Sequence, residues 1–299
     1  MVFSCLRGVR LRVFPLVGES RVRQIANMNR KELGALIERR LIAAADVVGA
    51  QYRASCGQIG YFFVDDIFPD DIAHRISSAF PDGSGMRLRN TIRERKFVSA
   101  QMNQYDPILE EAIFAFQEPA VVALVKDLCG MASAFPDDQL YAGGISAMGR
   151  GHFLNPHLDN SHDKERERWR VLNLLYYASP DWSLENGGNL ELWPNGVTGD
   201  PVTIESRFNR LVVMATHDQS WHSVSPVAAD AVRKCVSNYY FSNEPLRSSD
   251  RFHVTSFRGR PEQPMRDIAL RADAVARAAI RKVVKGGVAK TTHFYDRQH

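Results

Sequence analysis

QLYAGGISAMGRGHFLNPHLDN, residues Gln139–Asn160, is where the texture of this chain changes. Upstream of it, apolar residues mostly recur three and four apart, as amphipathic helices require. From Gln139 onward they come in short β-type runs cut by Gly, Pro, Asn and Asp. The runs fall near 139–149, 151–159, 169–178, 189–193, 201–205, 210–216, 220–227 and 232–242. Short strands in such close succession predict a barrel or sandwich of antiparallel sheets.

Outward from this β region the pattern turns helical on both sides. Residues 30–50 read as one amphipathic helix, Asp70–Phe80 as a second, and Asp106–Leu128 as a long stretch interrupted at Pro119. Ile59–Phe68 (IGYFFVDDIF) is aromatic and reads as a strand ended by Pro69. Residues 264–285 return to helical spacing. The expected class is therefore α+β with a mainly β core. Its expected divisions are a basic segment 1–28, a helical and strand support region 29–135, the β core 136–258 and a helical tail 259–299. Met28 is an alternative start, so nothing is built on the first segment.

Composition narrows the function classes. With 299 residues, 44% hydrophobic, and 16 Phe, 9 Tyr and 4 Trp, the chain has enough apolar area to fold, so general disorder is excluded. No apolar run approaches the roughly 20 residues of a membrane-spanning helix. Four widely spaced cysteines (Cys5, Cys56, Cys129, Cys235) form no metal-like pair and no disulfide framework, which points to a reducing, cytoplasmic setting. The net charge of +4 is uneven, with basic excess in 1–31 and 247–299 and an acidic body between. Solvated termini tolerate such charge. Nucleic acid or another anionic surface is the less favoured partner, because the first tail lacks interleaved aromatics.

Within GHFLNPHLDN, His157 and Asp159 are two apart on a strand, so both project from one face. An HxD triplet alone is common. A third ligand from a distant strand would complete a two-histidine, one-carboxylate facial site, a set that suits Fe(II) with open positions. His217 and His222 are the candidates. His222 is preferred because WHSVSPV reads as a strand, whereas His217 sits in a polar turn. Eleven residues further on, Arg233 opens the run RKCVSNYYF, sharing a face with Cys235 and Ser237. A guanidinium buried beside a metal site needs a carboxylate partner, which a dicarboxylic keto acid would supply.

The ordered motifs GHFLNPHLDN, YYASPDW, GGNLELW, FNRLVVM, HSVSPV and Arg233 before VSNYYF resemble the 2-oxoglutarate/Fe(II) dioxygenases of prolyl-hydroxylase type, over about residues 139–243. The resemblance implies a double-stranded β-helix (jelly roll) core, with His157, Asp159 and His222 as iron ligands. It makes Arg233 the anchor of the 2-oxoglutarate distal carboxylate, with Tyr177 adding a hydroxyl. It implies Fe(II) and 2-oxoglutarate as cofactors, ascorbate as an optional reductant, and O₂ with a small-molecule or peptidyl substrate as partners. The expected activity is hydroxylation of an unactivated C–H in a small metabolite, sugar or amino-acid-derived compound, releasing succinate and CO₂. The alternatives are a peptidyl, prolyl-type hydroxylase and a cupin-like metalloprotein that does not use 2-oxoglutarate. Two departures stand out. The charged segment Asn160–Tyr176 is long, and so is the gap from His222 to Arg233, which makes Lys234 a fallback anchor. Asn155, Asn160 and Ser161 are candidates to fix the imidazoles, and Arg150, His152, Asn173, Trp182 and Trp221 to line the substrate pocket.

Overall fold

A capping box starts the first helix. The side chain of Asn29 accepts from the backbone N–H of Lys31 and Glu32, and Glu32 returns the bond to the N–H of Asn29. This helix, α1, runs Arg30–Ala43, and α2 follows over Ala45–Ser55. The single helix expected over 30–50 is thus two, because Ala44 leaves helical geometry at φ −105° and ψ 3°. The break lets Leu33, Ile37 and Leu41 of α1 and Val48 and Tyr52 of α2 reach one core. The computed structural model describes residues 25, 28–283 and 295–296. Nearly all of the basic segment 1–28 and most of the chain after Val283 lie outside the described residues, as does Cys5.

The remaining elements follow in order. β1 is Tyr61–Val64, α3 Asp70–Ala79, β2 Arg87–Asn90, β3 Glu94–Ser99, α4 Pro107–Ala115 and α5 Pro119–Leu128. Then come β4 Phe135–Pro136, β5 Gly144–Met148, β6 Phe153–Leu158, β7 Trp169–Tyr177, β8 Leu190–Leu192 and β9 Val202–Ile204. β10 Arg210–Ala215, β11 His222–Val224, β12 Arg233–Ser242, β13 Ser256–Phe257 and α6 Pro264–Val283 complete the described strands and α-helices. Pro119 occupies the first turn of α5, where its missing N–H costs nothing, so it begins a helix where the sequence suggested a break.

Every strand pairing is antiparallel, and the main path is β1-β10-β7-β12-β5-β3-β6-β11-β8-β9. This curled sheet is a double-stranded β-helix with helices on one side, as the fold class expected. The strands near 144–148, 153–158, 169–177, 190–192, 202–204, 210–215, 222–224 and 233–242 match the runs read from the sequence. The hairpin β2–β3 was not anticipated, and β3 sits inside the sheet between β5 and β6.

The large core lies where α1–α5 cover the outer face of β10, β7 and β12. There Phe62, Phe68, Phe116, Tyr176, Leu172, Leu174 and Tyr240 pack with the helix faces. Burying each such side chain contributes about 1.5–3 kcal/mol. A second cluster, with Leu175, Tyr177, Leu190, Ile204, Val212, Met214 and Cys235, fills the inside of the β-helix at one end. The other end stays open and polar. Cys56, Cys129 and Cys235 are free thiols. No helix among the described residues is long and apolar enough to cross a membrane.

Candidate active site

β6 and β11 pair so that His157 stands directly opposite His222, and a register shift follows between His222 and Val224. The two imidazoles face each other with centroids 4.1 Å apart. Asp159, just beyond the end of β6, brings Oδ1 to 3.6 Å from Nε2 of His157 and Oδ2 to 3.7 Å from Nε2 of His222. One ligand atom from each residue lies within 4.8 Å of the others. Phe257 of β13 stacks on His157 with centroids 5.2 Å apart. All three residues line one cavity of about 390 Å³.

The donor set fits a divalent ion. Nδ1 of His157 lies 3.0 Å from the carbonyl of Asn155, and Nδ1 of His222 lies 2.9 Å from the carbonyl of Ser220. A carbonyl only accepts, so each Nδ1 carries a proton, and in the neutral ring it is Nε2, on the side facing Asp159, that keeps the lone pair. Burial, reinforced by the charge of its partner His222, pushes the His157 pKa down to about 3, so this ring is neutral near pH 7. Burial alone would raise the Asp159 carboxyl, but Arg170 and the two imidazoles outweigh it and hold it at about 2. Oδ2 of Asp159 is buried and accepts no hydrogen bond. Two imidazole nitrogens turned toward an ionised, under-used carboxylate make the donor set that a hard-to-borderline cation such as Fe(II) binds.

Arg170, which the sequence reading did not single out, sits behind the carboxylate. Its Nη1 is 3.6 Å from Oδ1 of Asp159, and its guanidinium lies 4.4 Å over the ring of Tyr239. Arg233, at the start of β12, lines the same cavity and is 3% exposed. Its Nε donates to Oγ of Ser206 at 3.0 Å, its Nη1 meets Sδ of Met148 at 3.8 Å, and its guanidinium lies 4.8 Å over the ring of Tyr177. Among the described residues, no carboxylate pairs with it. The Tyr177 hydroxyl is buried without a hydrogen-bond partner. Burial pushes that phenol up to about 12, against the pull of Arg233.

Gly187 and Gly188 turn the chain, with φ of 68° and 64°. Gly188 does more than turn the chain. A Cβ there would stand 2.8 Å from Cδ of Arg233, so the missing side chain leaves room for the guanidinium stem.

The other expectations divide. Asn173 lines the cavity, whereas Arg150, His152, Trp182 and Trp221 do not. His152 packs against Phe97, and Nε1 of Trp182 donates to the carbonyl of Gly187. Lys234 is no anchor, because its Nζ points to the carbonyl of Ser77 at 2.8 Å. The imidazoles are held by backbone carbonyls instead of the side chains of Asn155, Asn160 or Ser161. Asn155 and Asn160 donate to the carbonyls of Ile92 and His162, and Oγ of Ser161 to that of His253. His217 lies apart with Asp218 and Asp250, and their ligand atoms also fall within 4.8 Å of one another. Its Nδ1 accepts from the backbone N–H of Gln219 at 3.1 Å, which puts the proton of the neutral ring on Nε2 and leaves that nitrogen without a lone pair.

Solved structures of similar shape include a prolyl-4-hydroxylase of Pseudomonas putida. It is 16% identical, with a TM-score of 0.46, covering 65% of this chain and 98% of that one. A prolyl hydroxylase of Trichoplax adhaerens, in complex with a peptide fragment of the hypoxia inducible factor oxygen degradation domain, is 16% identical at a TM-score of 0.42. It covers 76% of this chain and 94% of that one. HygX of Streptomyces hygroscopicus, with nickel, 2-oxoglutarate and hygromycin B bound, is 11% identical at a TM-score of 0.45, covering 66% and 87%. Residues 143–242, which include the three clustered residues, Tyr177 and Arg233, match the family model described as the 2OG-Fe(II) oxygenase superfamily.

Proposed function

We propose that this protein is a 2-oxoglutarate- and Fe(II)-dependent hydroxylase of a small metabolite, sugar or amino-acid-derived compound. His157, Asp159 and His222 hold the iron, and Arg233 with Tyr177 holds the far carboxylate of 2-oxoglutarate. The core 136–258 carries this chemistry on the support region 29–135. Bound together, the metal and the keto acid would activate O₂, one oxygen atom going to the substrate C–H and the other to the succinate formed as 2-oxoglutarate loses CO₂. The chain's own part is to orient the Nε2 atoms through the Asn155 and Ser220 carbonyls, to keep Asp159 ionised, and to aim Arg233 into the cavity.

The observation that carries this reading is Arg233. A buried guanidinium without a carboxylate is costly, and it faces a cavity that already holds the triad. A bidentate carboxylate ligand answers that charge, as 2-oxoglutarate would. A cupin-like metalloprotein that does not use the keto acid has no use for this arrangement. Its single test is anaerobic protein with Fe(II) and 2-oxoglutarate, followed by the weak visible charge-transfer band of the chelate. The band should appear in the wild type and be lost in His157→Ala. In Arg233→Ala it should require at least about ten-fold more 2-oxoglutarate, as removal of a charge-assisted hydrogen bond implies. An unchanged titration in Arg233→Ala would sink the anchor.

Gly188→Ala should act on the same quantity from outside the ligand set. The new Cβ must displace the Arg233 stem and adopt a left-handed backbone that costs an ordinary residue about 1–2 kcal/mol. We expect weaker 2-oxoglutarate binding with metal affinity retained, read by titrating each separately. Equal loss of both would mean a general collapse of the site.

A further inference from the structure

The inner face of the β2–β3 hairpin is charged where a barrel wall is ordinarily apolar. Glu94, Lys96 and Val98 alternate along β3 into the cavity, joined by Arg89 from β2 and Arg93 from the turn. Arg89 pairs directly opposite Lys96. Like charges in facing positions of an antiparallel pair repel. One carboxylate answers both. Glu94 Oε2 lies 3.1 Å from Nζ of Lys96, and its Oε1 lies 3.4 Å from Nη1 of Arg89. Burial works against the Glu94 charge, but Lys96 and Arg89 hold its carboxyl down at about 2.

The other cavity cations have their own partners. Arg93 donates through Nε to Oδ2 of Asp273 at 3.1 Å, outside the cavity wall, and Arg170 pairs with Asp159. On the function proposed above, Arg233 is met by the cosubstrate. That leaves Arg89 and Lys96 sharing a single negative charge, one short of balance. The side chains of Glu94 and Lys96 are 12% and 19% exposed and that of Arg89 is 37% exposed, so solvent screens the Lys96 end of this imbalance less than on an open surface. Arg89, Glu94 and Lys96 line the same cavity as His157, Asp159 and His222, which places the surplus in the chamber of the triad.

We propose that the substrate carries an oxyanion head group, a carboxylate or a phosphate, which docks on Arg89 and Lys96 and directs the rest of the molecule toward the triad. This rests on the hydroxylase reading and adds the charge class of the substrate to it. Glu94 then acts as the internal competitor that the head group must share with or push aside.

The test uses full-length protein loaded anaerobically with Fe(II) and 2-oxoglutarate, and reads the shift of the chelate band on adding matched probes. The carboxylate arm compares N-acetyl amino acids with their primary amides, and the phosphate arm compares glucose 6-phosphate with glucose. In at least one arm the charged member should bind about ten-fold tighter than its neutral twin. Lys96→Met and Arg89→Met should remove that margin while leaving the band itself in place. Glu94→Gln, which preserves shape, should widen it, and this variant decides the matter if the other two do not fold. Equal response to charged and neutral probes, no response in either arm, or a margin indifferent to Glu94→Gln would overturn the proposal. If no band forms with 2-oxoglutarate alone, the hydroxylase reading falls first and this inference falls with it.

Discussion

Asp159→Ala should abolish metal-dependent stabilisation and also lower the melting temperature of the metal-free protein. The second effect follows from Arg170. Its side chain is 3% exposed and sits 3.6 Å from the Asp159 carboxylate. Removing one partner of a buried pair leaves the other charge uncompensated, at a cost of about 3–5 kcal/mol. The face of Tyr239 at 4.4 Å offsets part of this, so we expect the lower end of that range. For a chain of this size that is a fall on the order of 10 °C. The first effect follows from linkage. A ligand present at 100 times its Kd stabilises the folded state by about 2.7 kcal/mol, and a protein that has lost the carboxylate proposed to hold the metal forfeits that gain. Thermal melts with EDTA and with Co(II) as an oxygen-stable substitute separate the two contributions. Asp159→Asn, which keeps shape but not charge, should reproduce both in weaker form. If Co(II) raised the melting temperature of Asp159→Ala as much as that of the wild type, the metal would bind elsewhere.

Much of this site is legible in the sequence because strands obey a period of two. That period puts His157 and Asp159 together, and a strand reading of WHSVSPV favours His222 over His217, which the structure leaves in the turn with Asp218. The strand boundaries are legible for the same reason, since Gly, Pro, Asn and Asp punctuate them. The β2–β3 hairpin is not, because RLRN and ERKFVS turn charged side chains toward a polar cavity and so invert the usual apolar alternation. Arg170 is hidden differently. Arg166, Arg168 and Arg170 look alike in the charged segment after Asp159. A register shift where β12 passes from Tyr240 to Phe241, opposite Leu172 and Arg170, belongs to the pairing of two distant strands. The capture of both imidazoles by backbone carbonyls leaves no trace in side-chain identity. Gly188 reads as half of a turn until the path of Arg233 is known.

Arg260→Met should destabilise the protein about as strongly as Asp159→Ala, from a position outside the cavity. Arg260 donates through Nη1 and Nη2 to the two oxygens of Glu191 at 3.2 and 2.7 Å, and Nη2 also reaches the carbonyl of Val224 at 3.1 Å. Glu191 accepts a further bond from Oγ of Ser223 at 2.6 Å, and that hydroxyl accepts from Nε1 of Trp193 at 2.8 Å. The network ties β8 and β11 to the chain beyond β13, one residue from His222. With side-chain exposures of 7% and 11%, Arg260 and Glu191 are desolvated on both sides. Deleting the guanidinium strands the carboxylate, again at about 3–5 kcal/mol. The double variant Arg260→Met with Glu191→Leu removes both charges and should recover a large part of the loss, since members of one network do not add. Denaturant unfolding of the two single variants and the double closes the cycle. A loss below about 1 kcal/mol in Arg260→Met would mean that water already solvates the pair, and that β11, with His222 on it, is held by its ladder to β6 and β8 alone.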